Sequence, residues 1–285
     1  MPLLLNLIDY NAFPFFVHGL ETSQFLLIFG YTASVFIGLI LGLLGGGGSI
    51  LAIPILVYLF RLDPVIATAY SLFIVGSTSS VGVVWKGKKG LINFRTGLVF
   101  GAPSLLTVFI TRKWIVPSLP DIIINTSYLI VTKRILLLGL FAVLMIITSF
   151  SMMRKQKKVK EPTEFSLIYV LLLGAVIGVL TGLVGAGGGF LIIPALVLLT
   201  GLPMKVATGT SLFIIAFNSL IGFTGDIFNL EIQWPFLLSI TGLAIAGTFI
   251  GNWLSTKIKG AHLRVGFGWL TLMMGCWILI EEILL

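Results

Sequence analysis

The stretch Gly38-Leu39-Ile40-Leu41-Gly42-Leu43-Leu44-Gly45-Gly46-Gly47-Gly48-Ser49 decides the fold, because the chain contains it twice. Its second copy is Gly178-Val179-Leu180-Thr181-Gly182-Leu183-Val184-Gly185-Ala186-Gly187-Gly188-Gly189, and Pro54 is answered by Pro194. Further on, Ala67-Thr68-Ala69-Tyr70-Ser71-Leu72-Phe73 is matched by Ala207-Thr208-Gly209-Thr210-Ser211-Leu212-Phe213. Residues 38–82 laid over 178–222, at a constant offset of 140, give 21 identities in 45 positions without a gap. One structural unit is therefore used twice.

Outward from the repeat, the chain is apolar. Of its 285 residues 58% are hydrophobic and 10% charged, whereas a soluble domain carries about 25% charged residues. No Asp, Glu, Lys or Arg occurs between Glu21 and Arg61, between Glu164 and Lys205, or between Lys205 and Asp226. A bilayer-spanning helix needs about 20 apolar residues at about 1.5 Å each, so these gaps have membrane length. Lipid offers backbone groups no hydrogen-bond partner, so such runs are helical; barrel strands would show alternating segments of about ten residues. The pattern predicts an all-α polytopic membrane protein with ten hydrophobic segments, near 24–44, 50–60, 65–85, 97–111, 134–153, 165–184, 190–200, 206–225, 235–256 and 265–280. They group into a first repeat at 24–153, a basic linker at 154–164 and a second repeat at 165–285. Residues 1–23 are assigned to the membrane interface, since Asp9 interrupts them and the basic start of a cleavable signal is missing.

The loop after the third segment is basic in the first copy, with Lys86, Lys88, Lys89 and Arg95, while its counterpart carries Asp226 and Glu231. By the positive-inside rule the first loop is cytoplasmic and the second external, which gives the two repeats inverted topology. Five segments per copy, an odd number, require the same. The linker, with Arg154, Lys155, Lys157, Lys158 and Lys160, and the loop with Lys257, Lys259 and Arg264 also fall inside. Twelve of the eighteen basic residues are then cytoplasmic and both termini external. Arg112, Lys113, Lys133 and Arg134 run against this; they flank an expected external loop carrying Asp121 and are read as snorkelling from segment ends. The segment at 50–60 offers about 16 Å of helix against a hydrocarbon core of about 30 Å. Either the bilayer thins there or this segment and the one before it form a re-entrant hairpin.

Gly/Pro-interrupted segments at matching places in two halves point to a transporter binding site. A run of glycines breaks the helix, frees backbone N–H groups and starts the next helix with its positive dipole end at the break, which suits an anion. The candidate substrate residues are Gly45, Gly46, Gly47, Gly48 and Ser49, with Gly185, Gly187, Gly188 and Gly189. The hydroxyls of Thr68, Ser71, Thr208, Thr210 and Ser211, and further along Ser79, Asn218 and Ser219, are candidates to complete the donor set. The competing reading makes the glycines packing residues and the hydroxyls interhelical glue.

Other chemistries fit poorly. Cys276 is the lone cysteine, which excludes an intrachain disulfide and a cysteine metal cluster. The Gly48-Ser49 junction lacks the Lys of a Walker A loop, so neither nucleotide nor any other cofactor is expected. His18 and His262 fall in loops, away from Ser49 and Ser211, which disfavours an intramembrane hydrolase. The net charge of +8 sits in loops that set topology, and nucleic acid is not a partner. Ionisable residues are expected only at segment ends; Asp226 is one, matched by Lys86 in the first copy, and reads first as a topology determinant and second as a gate. The tryptophans fall near segment ends, as an aromatic belt requires, with Trp253 considered for a substrate-facing role.

The duplicated pattern, a Gly-rich run, then Pro, then Ala-Thr-x-x-Ser-Leu-Phe, resembles the TauE/SafE family of sulfite and organosulfonate exporters over roughly residues 25–284. The resemblance implies an inner-membrane secondary carrier for sulfite or an organosulfonate. Taken with the residues, it gives the expectation of a secondary transporter, an exporter of a small anion, working by alternating access around a midplane site. An anion channel, a permease subunit and a membrane-embedded enzyme are the rivals. Coupling to H+ or Na+ and assembly as a homo-oligomer are left open.

Overall fold

The computed structural model of the chain describes residues 20–126, 129–153, 167–255 and 260–284. The linker at 154–164 and most of the segment at 1–23 lie outside the described residues. The helices, in chain order, are α1 (Leu20–Leu44), the composite α2, α3 (Pro64–Gly87), α4 (Phe94–Ser118), α5 (Lys133–Met153), α6 (Leu167–Val184), α7 (Gly189–Thr200), α8 (Met204–Ile227), α9 (Trp234–Leu254) and α10 (Gly260–Leu284). Helix α2 joins a 3-10 turn (Gly46–Leu51), one α-turn (Ala52–Pro54) and a π-turn (Ile55–Leu59). The ten bodies answer the ten predicted segments, and among the described residues six helices are long and apolar enough to cross a bilayer. Phe36, Leu98, Ile147, Leu172 and Phe249 are each more than half exposed on the outer surface. An outer surface this apolar belongs against lipid. The protein is a multi-pass, all-α membrane protein.

Local chemistry sets the helix starts. Asp63 caps α3 by accepting a hydrogen bond from Val65 N at 2.8 Å, with Pro64 in the first turn where its missing N–H costs nothing. Asn93 caps α4 through Thr96 N at 3.0 Å. Two sequence expectations need correction here. Helix α4 does not end at 111 but continues through a π-turn, Thr111–Ile115, and so carries Arg112 and Lys113 inside it. The loop after it contains an antiparallel hairpin, β1 (Ile122–Thr126) against β2 (Leu129–Thr132), with Ile124 opposite Val131.

Helix α2 doubles back on α1. A Cβ on Gly48 would strike the backbone of Leu41, and one on Gly30 would lie 2.6 Å from Phe60 Cζ, so the end of α2 returns to the level of Gly30. The two segments thus form an antiparallel hairpin. Ile50, Ala52, Ile53 and Leu56 are fully buried, and so are Ile192 and Leu196 of α7; both short helices sit inside the bundle. Tyr58, near the end of α2, donates to Glu282 Oε1 of α10 at 3.3 Å, and Arg134 of α5 donates to Glu282 Oε2 at 2.7 Å. The charge of Arg134, awkward for the positive-inside reading, is thus matched by a carboxylate.

The two copies interlock through small residues. Gly38 and Gly42 of α1 pack against Ala244, Thr248 and Gly251 of α9, while Gly178 and Gly182 of α6 pack against Ser104, Thr107 and Thr111 of α4. These contacts are related by the offset of 140, with the partners exchanged. The same exchange appears in hydrogen bonds. Asn93 N donates to Thr210 Oγ1 at 2.9 Å and Gln233 N donates to the Tyr70 hydroxyl at 2.8 Å, each member 140 positions from its counterpart. A contact from i to j accompanied by its mate from j to i is what a two-fold relation generates. Equivalent helices also pack antiparallel: Gly222 of α8 meets Leu72 of α3 and Gly82 of α3 meets Leu212 of α8. Likewise Gly268 of α10 meets Ser149 of α5, and Gly275 meets Ala142.

The α1–α9 contact depends on close backbone approach. Replacing Gly247 by Val, whose Cβ would collide with the Val35 carbonyl, is expected to lower the thermal unfolding midpoint in detergent, with a cost of about 1–3 kcal/mol for overpacking. Gly242→Val, on the same helix with nothing within 4 Å of its added Cβ, is the control and should leave the midpoint near the wild-type value.

Candidate functional site

Both glycine tracts break their helices, and the two breaks meet. Gly45, Gly185, Gly187 and Gly188 have φ of 72°, 76°, 68° and 70°, conformations that L-residues with a Cβ adopt at a cost. Gly45 and Gly188 stand at the cap positions of α2 and α7, and neither helix has a side-chain cap. Their first N–H groups are therefore left for another acceptor. A Cβ on Gly46 would lie 2.8 Å from Gly189 Cα, and one on Gly189 would run into the Gly46 carbonyl. The two copies touch here backbone to backbone, with the Ile215 side chain packed beside Gly46.

Each tract also abuts a threonine of the opposite copy. Gly45 faces the Thr208 side chain and Gly185 faces Thr68, a second pair of contacts 140 positions apart. A Cβ on Gly187 would lie 2.8 Å from Ser219 Oγ and 2.6 Å from Val75 Cγ1. Gly48 and Gly188 have a different use: they let the chain fold back on Leu41 and Thr181 of the helix just before. Gly47 lies in the first turn of α2.

The predicted hydroxyls divide into two groups. Ser49 donates to Gly46 O at 3.0 Å, Thr208 to Met204 O at 2.7 Å and Ser211 to Thr208 O at 2.9 Å, all within their own segments. Thr210 holds Asn93 N, and Asn218 Nδ2 donates to Ser104 Oγ at 2.6 Å. Ser71, Ser79 and Ser219 are fully buried, and their hydroxyls have no partner; Asn218 Oδ1 has none either. Buried polar atoms are rarely left alone, and their clustering on α3 and α8 marks this region as polar in function. Trp253 is 54% exposed on the outer face, so it is the neighbouring Asn252, fully buried, that points inward.

The structure adds a buried charge pair: Asp226 is at the end of its helix, as expected, but Arg112 lies inside α4 and neither residue is solvated. Arg112 is completely buried, and its Nε lies 2.9 Å from Asp226 Oδ2. Its Nη1 donates to Thr68 Oγ1 at 3.2 Å. The Nε contact is an ion pair and not an aligned hydrogen bond, and Nη2 has no partner. Arg112 thus does not snorkel, and Asp226 is not a solvated topology determinant. Thr68 links the pair to the tract, since the same residue packs on Gly185. One signal in the sequence marked these positions: at the offset of 140, Arg112 falls on Asn252, so both α4 and α9 carry a polar residue at an equivalent buried place. Lys113, next in sequence, is held elsewhere, its Nζ about 5 Å above the rings of Phe109, Trp114 and Phe228.

A multi-pass bundle with paired helix breaks at its centre defines the class of membrane transport proteins. The model of the family described as sulfite exporter TauE/SafE matches residues 31–278, and the chain belongs to that family. It is 28% identical over 234 residues to a "Probable membrane transporter protein" of Xylella fastidiosa (strain 9a5c), covering 80% of this chain and 84% of the relative. It is 26% identical over 285 residues to "Probable membrane transporter protein YunE" of Bacillus subtilis (strain 168), covering 87% and 97%. A third relative, "Probable membrane transporter protein MJ0441" of Methanocaldococcus jannaschii, is 26% identical over 265 residues, covering 86% and 94%. No solved structure matches the chain. The protein is a membrane transporter.

The contact of Gly185 with Thr68 gives a local test. Gly185→Ala adds a Cβ to a left-handed residue and drives it into Thr68, whereas Gly90→Ala, at φ 65°, meets open space. The second substitution is expected to cost about 1–2 kcal/mol from the backbone alone and the first measurably more, read as two unequal drops in unfolding midpoint.

Proposed function

We propose that this protein is a secondary carrier that exports a small oxyanion, sulfite or an organosulfonate, by alternating access between two inverted repeats. The observation that carries the proposal is the backbone-to-backbone meeting of Gly46 and Gly189, where two helix starts without side-chain caps come together from opposite copies. Backbone N–H groups at helix N-termini suit an oxyanion, and two breaks related by a two-fold axis supply them from both sides. The antiparallel packing of α3 on α8 and of α5 on α10 supports the inversion; the positive-inside rule then favours a cytoplasmic loop at Lys86–Lys89 and external termini. Rocking of the tightly packed tracts against each other opens the centre to one side at a time.

Export follows from electrostatics. With the cell interior negative, the exit of one anionic charge is favoured by about 2.3 kcal/mol per 100 mV. A hydrolase is the weaker reading, because Ser49 and Ser211 spend their hydroxyl protons on carbonyls of their own segments and have no base beside them among the described residues.

The test is flux in proteoliposomes with sulfite, sulfate, sulfoacetate, taurine and acetate as candidate substrates. A carrier gives saturable flux that accelerates when the same anion is present on the opposite side. Gly46→Leu and Gly187→Leu are expected to reduce that flux to the protein-free background while the protein still reconstitutes. Normal transport by both variants would assign the glycines to packing alone.

A further inference from the structure

We propose that Arg112 is a substrate-binding cation of this carrier, and that Asp226 is an internal anion occupying it until the transported anion takes its place. The inference rests on the reading that an oxyanion visits the centre of the bundle. Its evidence is a guanidinium that is wholly buried yet incompletely engaged. Nη1 reaches Thr68, Nε is within 2.9 Å of Asp226 without an aligned hydrogen bond, and Nη2 has no partner. A purely structural arginine in a low-dielectric interior uses its planar fork fully, since each idle N–H loses its hydration without return. Here Nη2 is idle, Nη1 is spent on a hydroxyl, and Nε holds a carboxylate without alignment.

The position of Arg112 connects it to the candidate site. Thr68 accepts from Arg112 and packs on Gly185, so guanidinium, hydroxyl and glycine break form one contiguous wall. The hydroxyl of Thr111, the residue before Arg112, is also buried without a partner, and so is that of Thr181 on α6. In the other half, Gly45 and Thr208 repeat the break and the hydroxyl, and Asn252 stands where Arg112 would be. Asn252 is fully buried with both side-chain polar atoms unpartnered. The two half-sites therefore share one plan, with a cation in one and a neutral amide in the other. Lys86 occupies the position equivalent to Asp226, so the carboxylate that closes the first half-site has no counterpart in the second.

A sulfite or sulfonate group presents two oxygens at the spacing of a carboxylate and accepts from a guanidinium fork in the same way. It can displace Asp226, which lies in the last turn of α8. Competition with a tethered carboxylate keeps affinity modest and lets the empty carrier hold its buried charge neutralised. The occupant is an oxyanion of this geometry; a spherical halide uses only one point of the fork.

The experiment uses the full-length protein in detergent, with methanesulfonate and sulfite as probes and chloride at equal ionic strength as control, read by unfolding midpoint. Asp226→Asn is expected to start at a lower midpoint than wild type, to be raised more by the probes, and to show an apparent Kd about ten-fold lower. Arg112→Gln with Asp226→Asn, a neutral pair of nearly unchanged shape, is expected to fold and to lose the probe-dependent shift. Should Asp226→Asn yield no folded protein, the double variant decides alone. The inference is overturned if Asp226→Asn keeps the wild-type Kd, or if the double variant keeps the wild-type shift. In the latter case, with flux still abolished by Gly187→Leu, the carrier reading stands without Arg112. Absence of any probe-dependent shift, in wild type as well as variants, removes both.

Discussion

The backbones of the two copies meet at Gly46 and Gly189, beside the Ile215 side chain, and much of the surrounding structure follows from keeping that crossing possible. Each helix must stop before the crossing, which the left-handed glycines at 45, 185, 187 and 188 accomplish. The next helix must start without a side-chain cap and turn back on its predecessor. Helices this short bury most of their surface only if the long helices enclose them, and α2 and α7 are accordingly among the most buried parts of the chain. Enclosure comes from the exchange of partners, α1 with α9 and α6 with α4, through glycines that admit the neighbouring backbone.

The polar residues occupy the space that this enclosure creates. A pair such as Arg112 and Asp226 is a poor source of stability, since removing each charge from water costs several kcal/mol by rough estimate and attraction repays this only in good geometry. The geometry here is not good: Nε is close to the carboxylate but not aligned with it, and Nη2 is idle. The buried hydroxyls of Ser71, Ser79 and Ser219 are idle as well. The Arg134–Glu282 pair is the contrasting case, a fork matched on two atoms and joined by Tyr58, and it fastens α5, α10 and the end of α2. The first pair is incompletely engaged, and the second anchors three helices.

Much of the architecture was legible from residue order. The lengths of the charge-free gaps gave ten helical bodies, because the cost of burying charge in lipid acts on each segment separately. The tracts at 45–49 and 185–189 announced breaks because glycine acts on its own backbone, and the offset of 140 announced that the breaks were a pair. The end of α4 was misjudged because Arg112 and Lys113 look like a helix terminus at a membrane surface. The hairpin at Ile122–Thr126 and Leu129–Thr132 was missed because its short strands lie between two hydrophobic segments and carry little alternation.

Sequence by itself determined what depends on local energetics: helicity, membrane residence, the position of each break and the duplication. Only the tertiary structure decided what depends on a distant partner. Whether Arg112 reaches water or is buried is settled by a carboxylate on a helix of the other copy, and whether Thr68 is packing or part of a wall is settled by Gly185 and Arg112 together. Lipid rejects an unpaired charge wherever it stands in the chain, but the residue that pairs it is chosen by the fold, and a linear reading holds no term for that choice.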